Sequence, residues 1–280
     1  MSEAAPAKNS DLGTRFVAAV VMVAVAVGAI YLGGWWFRAL VVAGAAAMLL
    51  EWGDMHGLRR PWTYAAMAAG VAGLLAAGWK LFPDEELCFV DDVGVALARE
   101  CLDPAWIGFA ALAGVGLLLG LAARHRSLFT GFLYVTLPAL ALVALEWAHL
   151  LFVLWAMLVT WATDIFAYFT GRALGGPKLA PRVSPNKTWS GLLGGVAGAG
   201  IVGGAFAAWA GLGLPFVLAG PAMAVLAQLG DLYESALKRR FGLKDSSRLI
   251  PGHGGVLDRL DGLLPVALGA FLLLWATLAL

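Results

Sequence analysis

Runs of about twenty apolar residues recur from residue 16 to residue 280, separated by short polar stretches. A helix of ~20 residues spans the ~30 Å hydrocarbon layer of a bilayer, so each run has the length needed to cross a membrane. The pattern predicts nine transmembrane helices, near residues 16–32, 35–53, 63–82, 105–122, 129–146, 149–170, 190–210, 214–233 and 262–280. The expected fold is therefore an all-α polytopic membrane protein with a tail at 1–15 and one integral-membrane domain over 16–280. The first run is followed at once by a second and lacks a small-residue cleavage site, so it is expected to remain as an anchor.

Composition agrees, with 61% hydrophobic and 13% charged residues. No polar stretch reaches the size of a soluble domain, so any chemistry is expected at the membrane. The net charge of +1 conceals an asymmetry. Sixteen of the 19 basic residues fall in the tail or in the loops near 59–60, 124–126, 172–187 and 238–259. Such loops stay cytoplasmic, and they alternate with loops poor in Lys and Arg, so the N-terminus is expected inside and the C-terminus outside. No interleaving of aromatic and basic residues suggests a nucleic-acid partner.

The expected outside loop 83–104 carries seven of the 18 acidic residues and both cysteines, Cys88 and Cys101. On an oxidising face the pair can close a disulfide, and two packed free thiols are the alternative.

Two polar segments lie on the expected cytoplasmic side, in loops 171–189 and 234–261. The first follows Asp164 and contains Ser184, Lys187 and Thr188. Both segments lead into helices, whose unpaired N–H groups and positive dipole ends attract phosphates. Gly252, Gly254 and Gly255 around His253 allow backbone to approach an anion. His253 itself can bind phosphate, act as acid or base, or shape the loop.

Asp258 and Asp261, spaced i,i+3, share one face if the last helix starts by Asp258, and Asp231 lies near the end of the preceding helix. Three carboxylates without a His or Cys cluster suit a hard cation such as Mg²⁺, with room for a second cation. The ordinary alternative is that these charges pair among themselves as a solvated flank, Asp231 or Glu234 with Lys238 and Asp258 with Arg259 or Arg248. Asp164, inside an apolar run, needs a partner within the bundle.

Residues 198–203 spell a dinucleotide-binding glycine pattern, but they lie mid-span with no preceding strand, which excludes that reading. The glycines from Gly191 to Gly204 supply overlapping GxxxG pairs instead and predict a buried seventh helix.

The stretch 235–261 resembles the signature of phosphatidate cytidylyltransferases. The residues that carry the resemblance are Ser235, Lys238, Arg239, Lys244, Asp245, Pro251, His253, Gly254, Gly255, Asp258, Arg259 and Asp261. The upstream DIFAYFTGR and SPNKTW are also similar to the family, except that Ser190 stands where many members have Glu. The resemblance implies Mg²⁺-dependent conversion of CTP and phosphatidic acid to CDP-diacylglycerol and pyrophosphate in a bacterial cytoplasmic membrane, by a homodimer. It implies catalytic roles for Asp231, Asp258, Asp261, Lys244, Asp245 and His253, the three aspartates 231, 258 and 261 holding the metal. Substrate contacts are implied for Ser184, Lys187, Thr188, Ser235, Lys238, Arg239, Arg259, Gly254, Gly255 and Asp164.

Overall fold

In the computed structural model, which describes residues 8–82 and 95–278, the apolar runs become helices. Lipid offers backbone N–H and C=O groups no partner, so a spanning segment must satisfy them internally. The helices are α1 (Lys8–Leu32), α2 (Gly34–Met55), α3 (Arg60–Lys80), α4 (Val95–Ala123), α5 (Arg126–Ala148), α6 (Leu150–Leu174), α7 (Trp189–Trp209), α8 (Leu214–Arg240), α9 (Leu257–Leu260) and α10 (Leu263–Leu278). Six are long and apolar enough to cross a membrane: α2, residues 102–123 of α4, and α5 to α8. The chain is an integral, multi-pass membrane protein. The cysteine pairing expected above falls on Cys88 and on the side chain of Cys101, outside what the structure describes.

The axis of the bundle is α5, whose apolar window is 72% buried against 33–39% in the other five spanning helices. It packs against α2, α4 and α10, while α6, α7 and α8 form a second group in which α7 lies between its neighbours. Glycine makes that position possible. A Cβ on Gly195 would stand 2.9 Å from the Thr163 carbonyl oxygen of α6, and one on Gly220 of α8 would stand 2.5 Å from the Ala199 carbonyl oxygen of α7. Both obstacles are backbone and cannot swing aside. Gly220→Val is therefore expected to part α7 from α8 and to cost about 1–3 kcal/mol of stability. Thermal unfolding of the detergent-solubilised protein measures this, and an unchanged midpoint would refute the tight contact.

The expectation of a fully buried seventh helix is corrected. Gly191, Gly195, Gly198 and Gly203 are buried, but Leu193, Ile201 and Trp209 point away from the bundle with 66–77% of their surface open. Small residues seat two faces of the helix on its neighbours and leave the third to hydrocarbon.

Two loop expectations also change. Loop 171–189 contains an antiparallel hairpin, β1 (Lys178–Ala180) with β2 (Ser184–Thr188), pairing Lys178 with Thr188 and Ala180 with Ser184. Its polar residues gave no apolar alternation to announce strands. Residues 234–240, expected as loop, continue α8 to Arg240. Its last turn carries Lys238, Arg239 and Arg240, cations that favour the negative end of the helix dipole.

The ends of the bundle are chemically distinct. At one, Arg38 donates to the Gly78 carbonyl at 3.1 Å and lies 3.6 Å from Glu146, which also accepts from the Gly34 N–H at 2.7 Å. At the other, the ends of α2, α6 and α8 meet the starts of α7 and α10, which brings the hairpin and loop 241–262 together.

Candidate active site

Helical spacing at the end of α8 sorts its polar residues onto two faces. Gln228, Asp231 and Ser235 occupy one. The hairpin presents Lys187 to it, where the ammonium pairs with Asp231 and donates to Gln228 Oε1 at 2.9 Å. Ser235 Oγ donates to Asp231 Oδ1 at 3.2 Å. Lys187, Gln228 and Asp231 edge a cavity of about 650 Å³ to which Asp164, Arg172 and Asn186 also contribute. Asp164 was expected to need a partner inside the bundle. It opens into this cavity instead, within electrostatic reach of Asp231 and Lys187.

Two hairpin residues expected to touch substrate also hold local structure. Thr188 borders the cavity and caps α7, its Oγ1 accepting from the Gly191 N–H at 3.1 Å, and only 6% of the residue is exposed. Ser184 pairs with Ala180 and is not among the residues lining the cavity. Ser190, the departure from the family pattern, donates to the Gly175 carbonyl and ties the end of α6 to the start of α7.

The second face of α8 carries Glu234 and Lys238. Lys238 Nζ donates to Glu234 Oε2 at 2.7 Å and to Asp258 Oδ1 at 2.6 Å. The other Asp258 oxygen accepts from the Ser246 N–H at 2.8 Å, the Ser246 hydroxyl at 2.9 Å and the Gly255 N–H at 2.8 Å. Burial opposes ionisation of Asp258, but the Lys238 ammonium and the two N–H donors prevail and hold its carboxyl below the ordinary range. Gly254, at φ +85°, passes so close that a Cβ there would stand 2.7 Å from Asp258 Oδ2. Glycine is required there by both the dihedral and the space.

Beyond this node, Lys244, Asp245, Arg248, His253, Gly254 and Arg259 line a second cavity of about 360 Å³. Arg259 is tethered, donating through Nε and Nη2 to the His253 carbonyl at 2.9 and 2.6 Å. Arg239 donates to the Val183 and Leu243 carbonyls and joins the hairpin to this loop. The signature residues thus border the second cleft or form the Lys238–Asp258 node beside it, while the upstream motifs supply Asp164, Arg172, Asn186 and Lys187 to the first.

Asp231 and Asp261 come together because Gly230 lets α8 lie directly on the Asp261 carbonyl and Pro265, where a Cβ would collide. Burial, reinforced by the charge of Asp231, pushes the Asp261 carboxyl up to about 6. Two carboxylates held against their mutual repulsion fit a divalent cation, and Mg²⁺ commonly takes one or two carboxylates and completes its shell with phosphates and water. Asp258 is a less open ligand than Asp231: four donors from Lys238, Ser246 and Gly255 hold its oxygens, against Lys187 and Ser235 on Asp231, and among the described residues no three of His, Cys, Asp and Glu converge on a metal position. The i,i+3 argument assumed that Asp258 and Asp261 begin the last long helix. The two instead lie on one turn of the separate short helix α9, with Asp261 at its C-terminal end in helical conformation, and α10 begins only at Leu263.

Sequence reasoning missed Glu51, Gln228 and Asn186. Glu51 had a signal: a lone carboxylate within the apolar run AAAMLLEW, where an uncompensated charge is costly. It lies 4% exposed under loop 241–262.

The profile of the cytidylyltransferase family matches residues 13–277. A phosphatidate cytidylyltransferase of Brucella abortus is 39% identical over 266 residues, covering 92% of this chain and 91% of that protein. One of Pseudomonas aeruginosa is 36% identical over 279 residues, covering 95% and 97%. One of Bacillus subtilis is 46% identical over 118 residues, covering 41% and 44%.

Proposed function

The chain belongs to the cytidylyltransferase family, and from that premise we infer that it converts CTP and phosphatidate to CDP-diacylglycerol and pyrophosphate in phospholipid synthesis. The observation that carries this reading into the structure is the meeting of Lys187, Asp231, Lys238, Asp258 and Asp261 at one end of an apolar bundle, beside a cavity of about 650 Å³. A lipid substrate can keep its acyl chains among the helices there while its phosphate reaches charged groups.

In the proposed step an oxygen of the lipid phosphate attacks the α-phosphorus of CTP. The new P–O bond forms as the bond from the α-phosphorus to the bridging oxygen breaks, and pyrophosphate leaves with that electron pair. A phosphate monoester has its second pKa near ~6, so the attacking oxygen is already ionised near neutrality and needs no strong base. The obstacle is repulsion between two highly charged phosphates. Lys187 at the first cavity, and Lys244 and Arg259 at the second, offset that charge, while Arg239 holds the hairpin and loop together. Asp231 and Asp261 would hold Mg²⁺, which when bound screens the phosphates and stabilises the leaving group. Asp258 acts by ordering the loop, and His253, Gly254 and Asp245 border the second cleft.

The same reading gives nine spans, with the N-terminus and the charged end of the bundle in the cytoplasm of a bacterium. The alternation of basic loops supports it, as does the approach of Glu51, at the end of α2, to loop 241–262. A homodimer belongs to this reading on the family resemblance.

Transfer of label from CTP into lipid, in mixed micelles with phosphatidic acid, tests the reaction. The expected result is that the α-phosphate label enters lipid, only with Mg²⁺, and the γ-phosphate label does not. Entry of γ label would mean phosphorylation of a lipid and would overturn the reading.

A further inference from the structure

Glu51 accepts four hydrogen bonds, all from a segment about two hundred residues away in sequence. Its Oε1 accepts from the Ser247 hydroxyl at 2.7 Å and the Val256 N–H at 2.8 Å. Its Oε2 accepts from the Leu257 N–H at 2.8 Å and the Ser246 hydroxyl at 3.3 Å. The last of these is shared, because the same hydroxyl lies 2.9 Å from Asp258 Oδ2 and has one proton to give. Ser246, itself 5% exposed, is thus gripped between two carboxylates, one from α2 and one from the loop.

We propose that Glu51 is a positioning residue for the transfer reaction, a carboxylate of α2 that fixes the segment from Ser246 to Asp258 so that Asp258 and the second cleft keep their register with α8. The proposal rests on the cytidylyltransferase reading for its catalytic consequence, and on geometry alone for the clamp.

The clamp divides the loop's donors between its two carboxylates. Asp258 takes the N–H groups of Ser246 and Gly255, and Glu51 takes those of Val256 and Leu257 at the first turn of α9. Those N–H groups have no partner within the short helix and lie against the buried carboxylate, that of Leu257 fully and that of Val256 partly buried, so they require an acceptor. A charged acceptor answers two donors on each oxygen, which a Gln cannot do, since its amide nitrogen is itself a donor. The packing leaves no slack: a Cβ on Gly255 would stand 2.6 Å from Glu51 Oε1. A loosened clamp therefore displaces Asp258 from Lys238 and the Gly254 backbone from the cleft, and small misplacements of reacting groups are costly.

The test uses full-length protein in detergent, comparing the wild type with E51Q and E51D by amide hydrogen exchange, thermal unfolding and steady-state kinetics with CTP and phosphatidic acid. In the wild type the amides of Val256 and Leu257 are expected to be protected well beyond the flanking loop. Exchange of both at open-loop rates overturns the clamp without recourse to any variant. In E51Q those two amides are expected to lose protection, and kcat to fall about 10²-fold, with little change in either KM. E51D, which keeps both charged oxygens on a shorter stem, should recover part of kcat. Near-wild-type kcat in E51Q overturns the positioning role. So does a loss of protection spread over α2, α5 and α10 with a matching fall in E51D, which would mark Glu51 as a general stability residue. If the wild type transfers no cytidylyl group the reaction assignment fails, while exchange at Val256 and Leu257 still reads the clamp by itself.

Discussion

Asp258→Asn is expected to reduce kcat by about 10²–10³-fold or more, the largest effect of any single substitution in this site. The carboxylate faces donors on every side: the Lys238 ammonium on one oxygen, the Ser246 N–H, Ser246 hydroxyl and Gly255 N–H on the other. An amide turns its NH₂ toward one of these sets. If it faces Lys238, two donors oppose each other beside Glu234. If it faces Gly255, the backbone turn at Gly254 loses its anchor. Lys238 and Asp258 side chains are 12% and 5% exposed, so the broken pair leaves a charge where water cannot easily compensate, at about 3 kcal/mol of stability.

The pH dependence follows in sign. Because the Asp258 carboxyl is held below its ordinary range, its stabilising contribution is full above the unfolded value of about 4 and disappears as pH falls through the lower folded value. The stability gap between wild type and D258N is therefore expected to be constant from neutrality to about pH 5 and to close in stronger acid. Denaturant unfolding across that range, with cytidylyl transfer assayed at neutral pH, measures both parts. A variant with wild-type turnover would remove Asp258 from the functional site.

Asp261→Asn is expected to combine a comparable loss of activity with the opposite effect on stability. Asp261 and Asp231 repel each other across the close contact at Gly230, and burial adds to the cost of keeping Asp261 charged. Removing one charge relieves that repulsion, so metal-free D261N is expected to unfold at or above the wild-type temperature near neutrality. Turnover should fall about 10²-fold or more, and Mg²⁺ should no longer raise the unfolding temperature. Functional groups are commonly held at a cost in stability of this kind. Undiminished activity in D261N, or a response to Mg²⁺ equal to that of wild type, would overturn the assignment of this carboxylate pair to the cation. The paired variants separate two roles that one motif had merged, since D258N is expected to lose stability and activity together and D261N to lose activity alone.

The sequence by itself determined the membrane class, the approximate helix positions and the region of the site. Each follows from local information: an apolar run of bilayer length has few alternatives to a helix, and a dense charged segment beside such runs has few places to lie. The signature 235–261 also determined the chemistry, because many residue identities at fixed spacing cannot be met by composition alone. Tertiary structure decided how those residues divide their work. Asp258 and Asp261 lie on one helical turn, but the donors that hold Asp258 come from Lys238, Ser246 and Gly255, and the approach of Asp261 to α8 comes from packing against Gly230, neither of which local preference reveals. That Thr188 also caps a helix and Ser184 also pairs in a hairpin was hidden, because a hydroxyl beside a lysine has no visible partner in a sequence. The cap at Gly191 and the hairpin pairing appear only once the chain has folded. Glu51 is the clearest case: its partners lie about two hundred residues away, and only the packing of α2 beneath the loop reveals what that charge is for.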